Sequence, residues 1–379
     1  MLIIVLTFLL ISNIYSQELP PKQAYEFDVK QIHSGHSLTD PLFHPWPGQY
    51  RYLMTEHLSG PWDKLGKSTI PGSPMFWRWD NEQDLEPSAR HDIEDWELLV
   101  ITEGVPIPED WENPGSIQPA KEYFSRYVNN AWENVNGGSG APTLLWTTWT
   151  NIDDSDGPWR ELLDDYESKW EEMMDYANEN LPSGANHVYL IPGHRMMARL
   201  YDDIEEGIVP GINSIDEFFS DNIHVNDLGG YAVAMIHYAC IFNKSPVGLP
   251  YILFNSNDAP NKLIPSEELA FYLQNMIWDV VTNYSRTGVI DETTEIENID
   301  ENLIIYPNPA NNFIYVKSKK EGSHEFQLRD LNGRILITSK NKRINISTLE
   351  SGIYFVFSDD NISKIIVELV FNKALLLAQ

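Results

Sequence analysis

The chain has 379 residues, of which 42% are hydrophobic and 12% aromatic, enough for two domains with their own cores, and this excludes global disorder, a collagen-like chain and a coiled coil. Its formal net charge of −30 repels phosphate backbones and anionic membrane surfaces, so nucleic acid is not expected as a partner. With one cysteine, Cys240, neither an intrachain disulfide nor a multi-cysteine zinc site is available.

Leu2 to Ile11 is an almost unbroken apolar run followed by Asn13 to Ser16, the pattern of an export signal over residues 1–16, with a buried N-terminal strand as the alternative. The run is shorter than the ~20 apolar residues that span a bilayer, and no later stretch reaches that length without charges. No integral membrane segment is therefore expected in the mature chain. Beyond it, apolar runs predict strands at 28–33, 96–101, 143–147 and 187–191, alternating with helical patterns at 118–135, 159–180, 197–206 and 228–242. That alternation predicts a three-layer α/β/α domain with a mostly parallel sheet covered on both faces.

A helix predicted from Ser266 to Ser285 closes at Gly288, and six of the eleven residues from Asp291 to Glu301 are acidic. All twelve tryptophans lie between Trp46 and Trp278. From Leu303 onward ten Lys/Arg oppose seven Asp/Glu, so the charge changes sign. These shifts predict a first domain over 17–290, an acidic linker over 291–302 and a second unit over 303–379. In that unit short apolar alternations, Phe313 to Val316, Glu325 to Leu328, Arg334 to Ile337 and Ile353 to Phe357, are separated by turn residues such as Asn332-Gly333, predicting a small all-β sandwich. Ile305-Tyr306-Pro307-Asn308-Pro309-Ala310, then Leu331-Asn332-Gly333-Arg334, then Ile346 to Tyr354 resemble the C-terminal sorting domain of the bacterial type IX (Por) secretion system. The resemblance implies the type IX secretion machinery as a partner, and a product that is secreted or attached to the cell surface after outer-membrane export.

Two stretches of the first domain carry the candidate chemistry. After the first predicted strand, Gly35-His36-Ser37-Leu38 offers a hydroxyl on a sharp turn. Near the other end, Asp221-Asn222-Ile223-His224 leads into an apolar helix, a spacing that lets a carboxylate hold one imidazole nitrogen while the other faces a nucleophile; a plain helix N-cap with an adjacent histidine is the alternative. Together they resemble the SGNH, or GDSL-like, hydrolases over roughly residues 27–245. The resemblance implies Ser37 as nucleophile, His224 as base and then acid, and Asp221 as its orienter. The backbone N–H groups of Ser37 and of Gly72, in Ile70-Pro71-Gly72-Ser73-Pro74, would form the oxyanion hole. Two positions depart from the family pattern: His36 stands where an aspartate precedes the serine, and Thr102-Glu103-Gly104 stands where an asparagine donates to the oxyanion.

Glu103 is accordingly a candidate for accepting a substrate hydroxyl or binding a cation, with Thr102 or an amide elsewhere as the substitute donor. Trp77 and Trp79, with Trp62, Trp146 and Trp149, could stack on sugar rings or belong to the core. His194 and Arg195, after the fourth predicted strand, could rim the site or lie on a surface loop. Asp153-Asp154-Ser155-Asp156-Gly157 lacks the ligand order of a calcium loop and reads as an acidic lead into a helix. No metal and no cofactor is expected. The expected function is a secreted serine esterase acting on O-acyl esters, with acetyl on carbohydrate favoured and a small ester as the minimal substrate. A silent SGNH-like module that binds glycans is the alternative.

Overall fold

The computed structural model describes residues 19–43, 50, 53, 63–82, 85–134, 140–252, 263–291, 303–310, 312–318, 325–330, 334–349, 351–358 and 361–367. The expected export signal, Trp62, most of the acidic linker and the Asn332-Gly333 turn lie outside the described residues.

Five strands, β1 (Gln31–Gly35), β2 (Leu65–Thr69), β3 (Leu98–Ile101), β4 (Thr143–Thr147) and β5 (Tyr189–Pro192), form one parallel sheet in the order β2-β1-β3-β4-β5. Leu98 and Val100 of β3 enter one core, and Leu99 and Ile101 the other, because successive side chains of a strand point to opposite faces. Both faces are covered, so β3 reads as a continuous apolar run. Helices α2 (Gln118–Glu133) and α3 (Trp159–Glu179) cover one face; α4 (Gly193–Glu205), α5 (Asp227–Phe242) and α6 (Glu267–Thr282) cover the other. This is the three-layer α/β/α arrangement expected from the sequence. Helix α5 is buried at every position from Gly229 to Phe242, which is why its sequence is apolar all round. It includes Cys240, whose thiol is buried and unpaired in any disulfide, and burial pushes its pKa up to about 12.

Two elements have no counterpart among the predicted ones. β2 is an edge strand whose Lys67, Ser68 and Thr69 carry no apolar alternation, and Gly66 is pressed against the Trp96 ring so closely that an added Cβ would lie 2.5 Å from it. Its consequence is positional: the Ile70 N–H donates to Gly35 O at 3.0 Å, drawing the segment around Gly72 alongside the end of β1. The short helix α1 (Met75–Asn81) follows, in a stretch whose aromatics resemble a loop in sequence. The chain leaves β1 for β2 on one side and then crosses to β3 on the other. Between β1 and β3 lies the switch point at whose carboxyl end open α/β sheets form sites.

The tail is all-β: β10 (Arg343–Asn345), β7 (Phe313–Ser318) and β6 (Leu303–Tyr306) form one antiparallel sheet, and β12 (Asn361–Val367), β11 (Gly352–Ser358), β8 (Phe326–Arg329) and β9 (Ile335–Ser339) the other. Ile314, Val316, Leu328, Ile344, Val356 and Ile365 fill the space between them.

Gly193 opens α4 directly after β5, where a Cβ would lie 2.3 Å from the Trp146 ring and 2.4 Å from the Thr147 carbonyl oxygen. Gly193→Ala is expected to destabilise the first domain by ~1–3 kcal/mol, read as a lower denaturant midpoint at unchanged slope. An unchanged midpoint would show that this junction yields freely.

Candidate active site

The loop from Ser220 to Asn226 is built on its own hydrogen bonds. The Ser220 N–H donates to His224 O at 2.7 Å, and the Asn226 amide nitrogen donates to Glu217 O and Phe219 O at 2.8 and 3.2 Å. Asn226 Oδ1 accepts the N–H groups of Leu228 and Gly229, so Asn226, and not Asp221, caps α5. From the side of β4, the Trp149 indole N–H donates to Ile223 O at 2.9 Å, and the Asn222 side chain donates to Asp153 Oδ2 at 2.8 Å.

Asp221 is thereby free to face the histidine. Its Oδ1 accepts the backbone N–H groups of Ile223 at 2.9 Å and His224 at 2.7 Å, while Oδ2 lies 2.8 Å from His224 Nδ1. The His224 N–H, with the Ile223 N–H and the imidazole behind it, lowers the Asp221 pKa to about 2. An ionised carboxylate cannot donate, so the proton of the neutral ring sits on Nδ1 and Nε2 is an acceptor. His224 Nε2 lies 2.8 Å from Ser37 Oγ. Ser37, His224 and Asp221, 187 and 3 residues apart along the chain, thus form one continuous relay.

Ser37 stands on a turn just after β1, where the Thr39 N–H donates to His36 O and the Asp40 N–H to Ser37 O before a 3-10 helix, Asp40–Leu42. Gly35 is required by contact: a Cβ there would lie 2.2 Å from Thr39 Oγ1 and 2.9 Å from the Thr102 methyl group. His36 is buried, its Nδ1 accepting the Leu38 N–H at 3.3 Å and its Nε2 donating to Glu103 O at 2.9 Å. Burial, reinforced by the Arg78 charge, pushes its pKa down to about 4, so it is a neutral staple between two sheet-end loops.

Gly72 is exposed in the left-handed region at φ +66, with no atom within 4 Å of where a Cβ would stand. Glu103 is fully buried, and its Oε1 accepts the Met75 and Gly104 N–H groups, each at 2.6 Å, so the carboxylate faces backbone amides and not solvent. Trp77 is 43% exposed on α1. Trp79 has one face covered by the Arg90 guanidinium, 4.3 Å from the ring centre, and packs perpendicular to the Tyr127 ring at 4.9 Å between centres. Trp146 and Trp149 are core residues, almost completely buried, and offer no face to a sugar. His194 and Arg195 lie on α4, not on a loop: His194 is buried between Thr147 Oγ1 and Glu167, and Arg195 forms a two-pronged pair with Glu167.

Arg78, hidden in an aromatic-rich run, escapes sequence reading: it is fully buried and its guanidinium donates to the carbonyls of Ser73 and Thr102. Asp154 accepts the Trp159 N–H at 2.8 Å, the helix-lead role expected for its acidic run. Among the described residues no group of three or more His, Cys, Asp or Glu is placed to hold a metal ion.

Residues 304–372 match the family described as secretion system C-terminal sorting domain. The tail marks the chain for type IX export to the cell surface or the medium. Among the described residues no helix is long and apolar enough to cross a membrane. A search of curated proteins gives no match. Similar solved structures include a DUF4886 family protein from Bacteroides uniformis (TM-score 0.42, 12% identity, 71% of this chain and 99% of that one). An acetyl xylan esterase, AlAXEase, covers 56% of this chain and 99% of its own at TM-score 0.37 and 19% identity. A candidate SGNH hydrolase from Slackia heliotrinireducens covers 55% and 96% at TM-score 0.36 and 16% identity.

Removing residues 303–379 is expected to leave the first domain folded but retained inside the cell envelope, checked by fractionation and immunoblotting; normal release of the truncated chain would contradict the sorting role. A second expectation concerns pH. Burial, against the pull of Arg78 and two amides, pushes the Glu103 pKa up from 4.5 to about 7. As pH rises from 4.5, the unfolded carboxyl ionises first, so this group costs the folded state stability up to about 7 and a constant amount above. Glu103→Gln removes that cost, and its melting temperature relative to wild type is expected to climb between pH 4.5 and 8. A difference that stays flat or falls would contradict the buried placement.

Proposed function

We propose that the chain is a secreted serine esterase that hydrolyses O-acyl esters, with acetyl groups on carbohydrate as the favoured substrate. The observation that carries the reading is the relay at 2.8 Å and 2.8 Å from Ser37 Oγ through His224 to Asp221, at the carboxyl ends of the strands. The Ser37 oxygen attacks the acyl carbonyl carbon as its proton passes to His224 Nε2, and Asp221 stabilises the resulting imidazolium. The tetrahedral intermediate collapses with departure of the alcohol, which takes that proton and leaves the acyl group on Ser37. Water, deprotonated by His224, then attacks the acyl-enzyme and releases the carboxylic acid. The backbone N–H groups of Ser37 and Gly72 receive the negative charge that develops on the carbonyl oxygen.

The side chains of His224 and Asp221 are 42% and 52% exposed. That openness suits an ester carried on a bulky polymer, and not a long acyl chain that needs an enclosed apolar channel. Trp77, exposed on α1 next to the Gly72 segment, is the aromatic face that supports a carbohydrate carrier. The competing reading, glycan binding without turnover, draws on Glu103 standing where the family pattern has a donor. The buried, amide-bound Glu103 weakens it, because loss of one oxyanion donor lowers the rate by ~10²–10³ whereas an intact nucleophile and base still supply the covalent route.

Residues 17–290 are expected to hydrolyse p-nitrophenyl acetate and acetylated xylan. Ser37→Ala is expected to lower kcat/KM by at least ~10³-fold with the circular dichroism spectrum unchanged. A Ser37→Ala protein that keeps a tenth of the wild-type rate would overturn the assignment.

A further inference from the structure

Three sheet-end loops meet at Glu103. The loop after β1, carrying Ser37, is joined through His36 Nε2 to Glu103 O at 2.9 Å. The segment after β2, carrying Gly72, is joined through the Met75 N–H to Glu103 Oε1 at 2.6 Å. The loop after β3 closes on itself through the Gly104 N–H to the same oxygen at 2.6 Å. Arg78 repeats the tie one turn into α1, its guanidinium donating to Ser73 O on the one side and Thr102 O on the other. Gly104 lies flat against Pro74, where a Cβ would stand 3.1 Å from Pro74 Cα, so the two loops are in backbone contact and not merely bridged. Both charged side chains are fully buried, and Glu103 Oε2 has no hydrogen-bond partner among the described residues. A buried carboxyl group with one oxygen lacking a partner is costly to keep, and its place is explained by the other oxygen, since an apolar residue of the same size would leave the Met75 and Gly104 N–H groups unpaired.

We infer that Glu103 and Arg78 are positioning residues for the oxyanion hole: they hold the Gly72 segment at a fixed distance from Ser37 and take the place, by fixing backbone donors, of the side-chain donor that the sequence lacks here. The inference rests on the esterase reading above. The span sets the chemistry of the position. A glutamate reaches from the end of β3 to the Met75 N–H, and an asparagine, one methylene shorter, does not. The role needs an acceptor oxygen at that reach and not a negative charge, so glutamine fulfils it. Arg78 bridges two carbonyls with its planar fork, which a lysine ammonium on a single point cannot do. Displacing an oxyanion donor by about 1 Å costs on the order of 10²-fold in rate, and the loss falls on the transition state and not on ground-state binding.

The experiment measures kcat and KM on p-nitrophenyl acetate for wild type, Glu103→Gln, Glu103→Asn and Arg78→Lys, each normalised to the fraction of Ser37 labelled by a fluorophosphonate. Expected are a kcat lower by about 10- to 100-fold with KM little changed for Glu103→Asn and Arg78→Lys, and rescue to near wild type for Glu103→Gln. A rise in kcat for Glu103→Asn would overturn the inference, since it would mean that a missing side-chain donor, and not loop position, limits the rate. Equal loss in Glu103→Gln and Glu103→Asn would overturn it in favour of a required charge. If Glu103→Asn does not fold, Arg78→Lys decides, and an unchanged kcat there overturns the inference. A wild-type chain without Ser37-dependent hydrolysis would remove the esterase reading and this inference together, whereas an active wild type with unaffected variants removes the inference alone.

Discussion

The two oxygens of Asp221 divide their work, and the candidate site depends on that division. Oδ1 takes the N–H groups of Ile223 and His224, which sets the backbone of the loop, and Oδ2 takes the imidazole, which sets the ring. Because one side chain does both, the orientation of the ring is locked to the conformation of the loop that carries it. The rest of the fold keeps that loop in place: Asn226 caps a helix buried along almost its whole length, and Trp149, extending from the end of β4, holds the Ile223 carbonyl. A solvent-exposed relay is thus tied to the deepest element of the domain. Exposure of the imidazole and carboxylate and rigidity of their support are reconciled by placing the first at the end of the second.

Ser37 approaches from a different part of the chain, and the topology explains why it arrives at the same place. The winding of the sheet reverses between β1 and β3, the place at whose carboxyl end open α/β sheets form sites, and the loops after these two strands are tied there by the contact of His36 with Glu103 O. The edge strand β2 then carries the Gly72 segment to the far side of β1. The contacts that gather these loops around Glu103 are buried: His36 as a neutral donor, Glu103 as an acceptor, and Arg78 between two carbonyls. A network of this kind is strong when fully satisfied and costly where it is not, and among the described residues Glu103 Oε2 and Arg78 Nε are its atoms without a hydrogen-bond partner.

Much of the first domain was legible in sequence because burial on both faces writes itself as apolar runs. Leu98-Leu99-Val100-Ile101 is the plainest case, and Asp-x-x-His before an apolar helix is legible because its spacing is local. What escaped was carried by polar residues whose partners are distant in sequence. Lys67, Ser68 and Thr69 form a strand only because β1 offers them hydrogen bonds. Arg78 sits among aromatics in a heptapeptide that does not resemble a helix, and nothing near it indicates carbonyls waiting at Ser73 and Thr102. The tryptophans misled in the other direction. Trp146 and Trp149 flank the end of β4 as site residues would, yet their indoles turn inward, where Trp146 packs 4.5 Å from the His237 ring. Glu103 stood at an informative position with an uninformative side chain: the sequence marks the substitution, and only the contacts show that its oxygen faces amides.

The central claim is that the hydroxyl of Ser37 becomes covalently acylated, and direct trapping tests it. Residues 17–290 mixed with p-nitrophenyl acetate, quenched in acid within the first turnover and digested for peptide mass spectrometry, are predicted to carry one acetyl group on the peptide containing Ser37 and none after the reaction has run to completion. Turnover of the ester with no acetyl group on Ser37 at any time, or with the group on another side chain, would contradict the account.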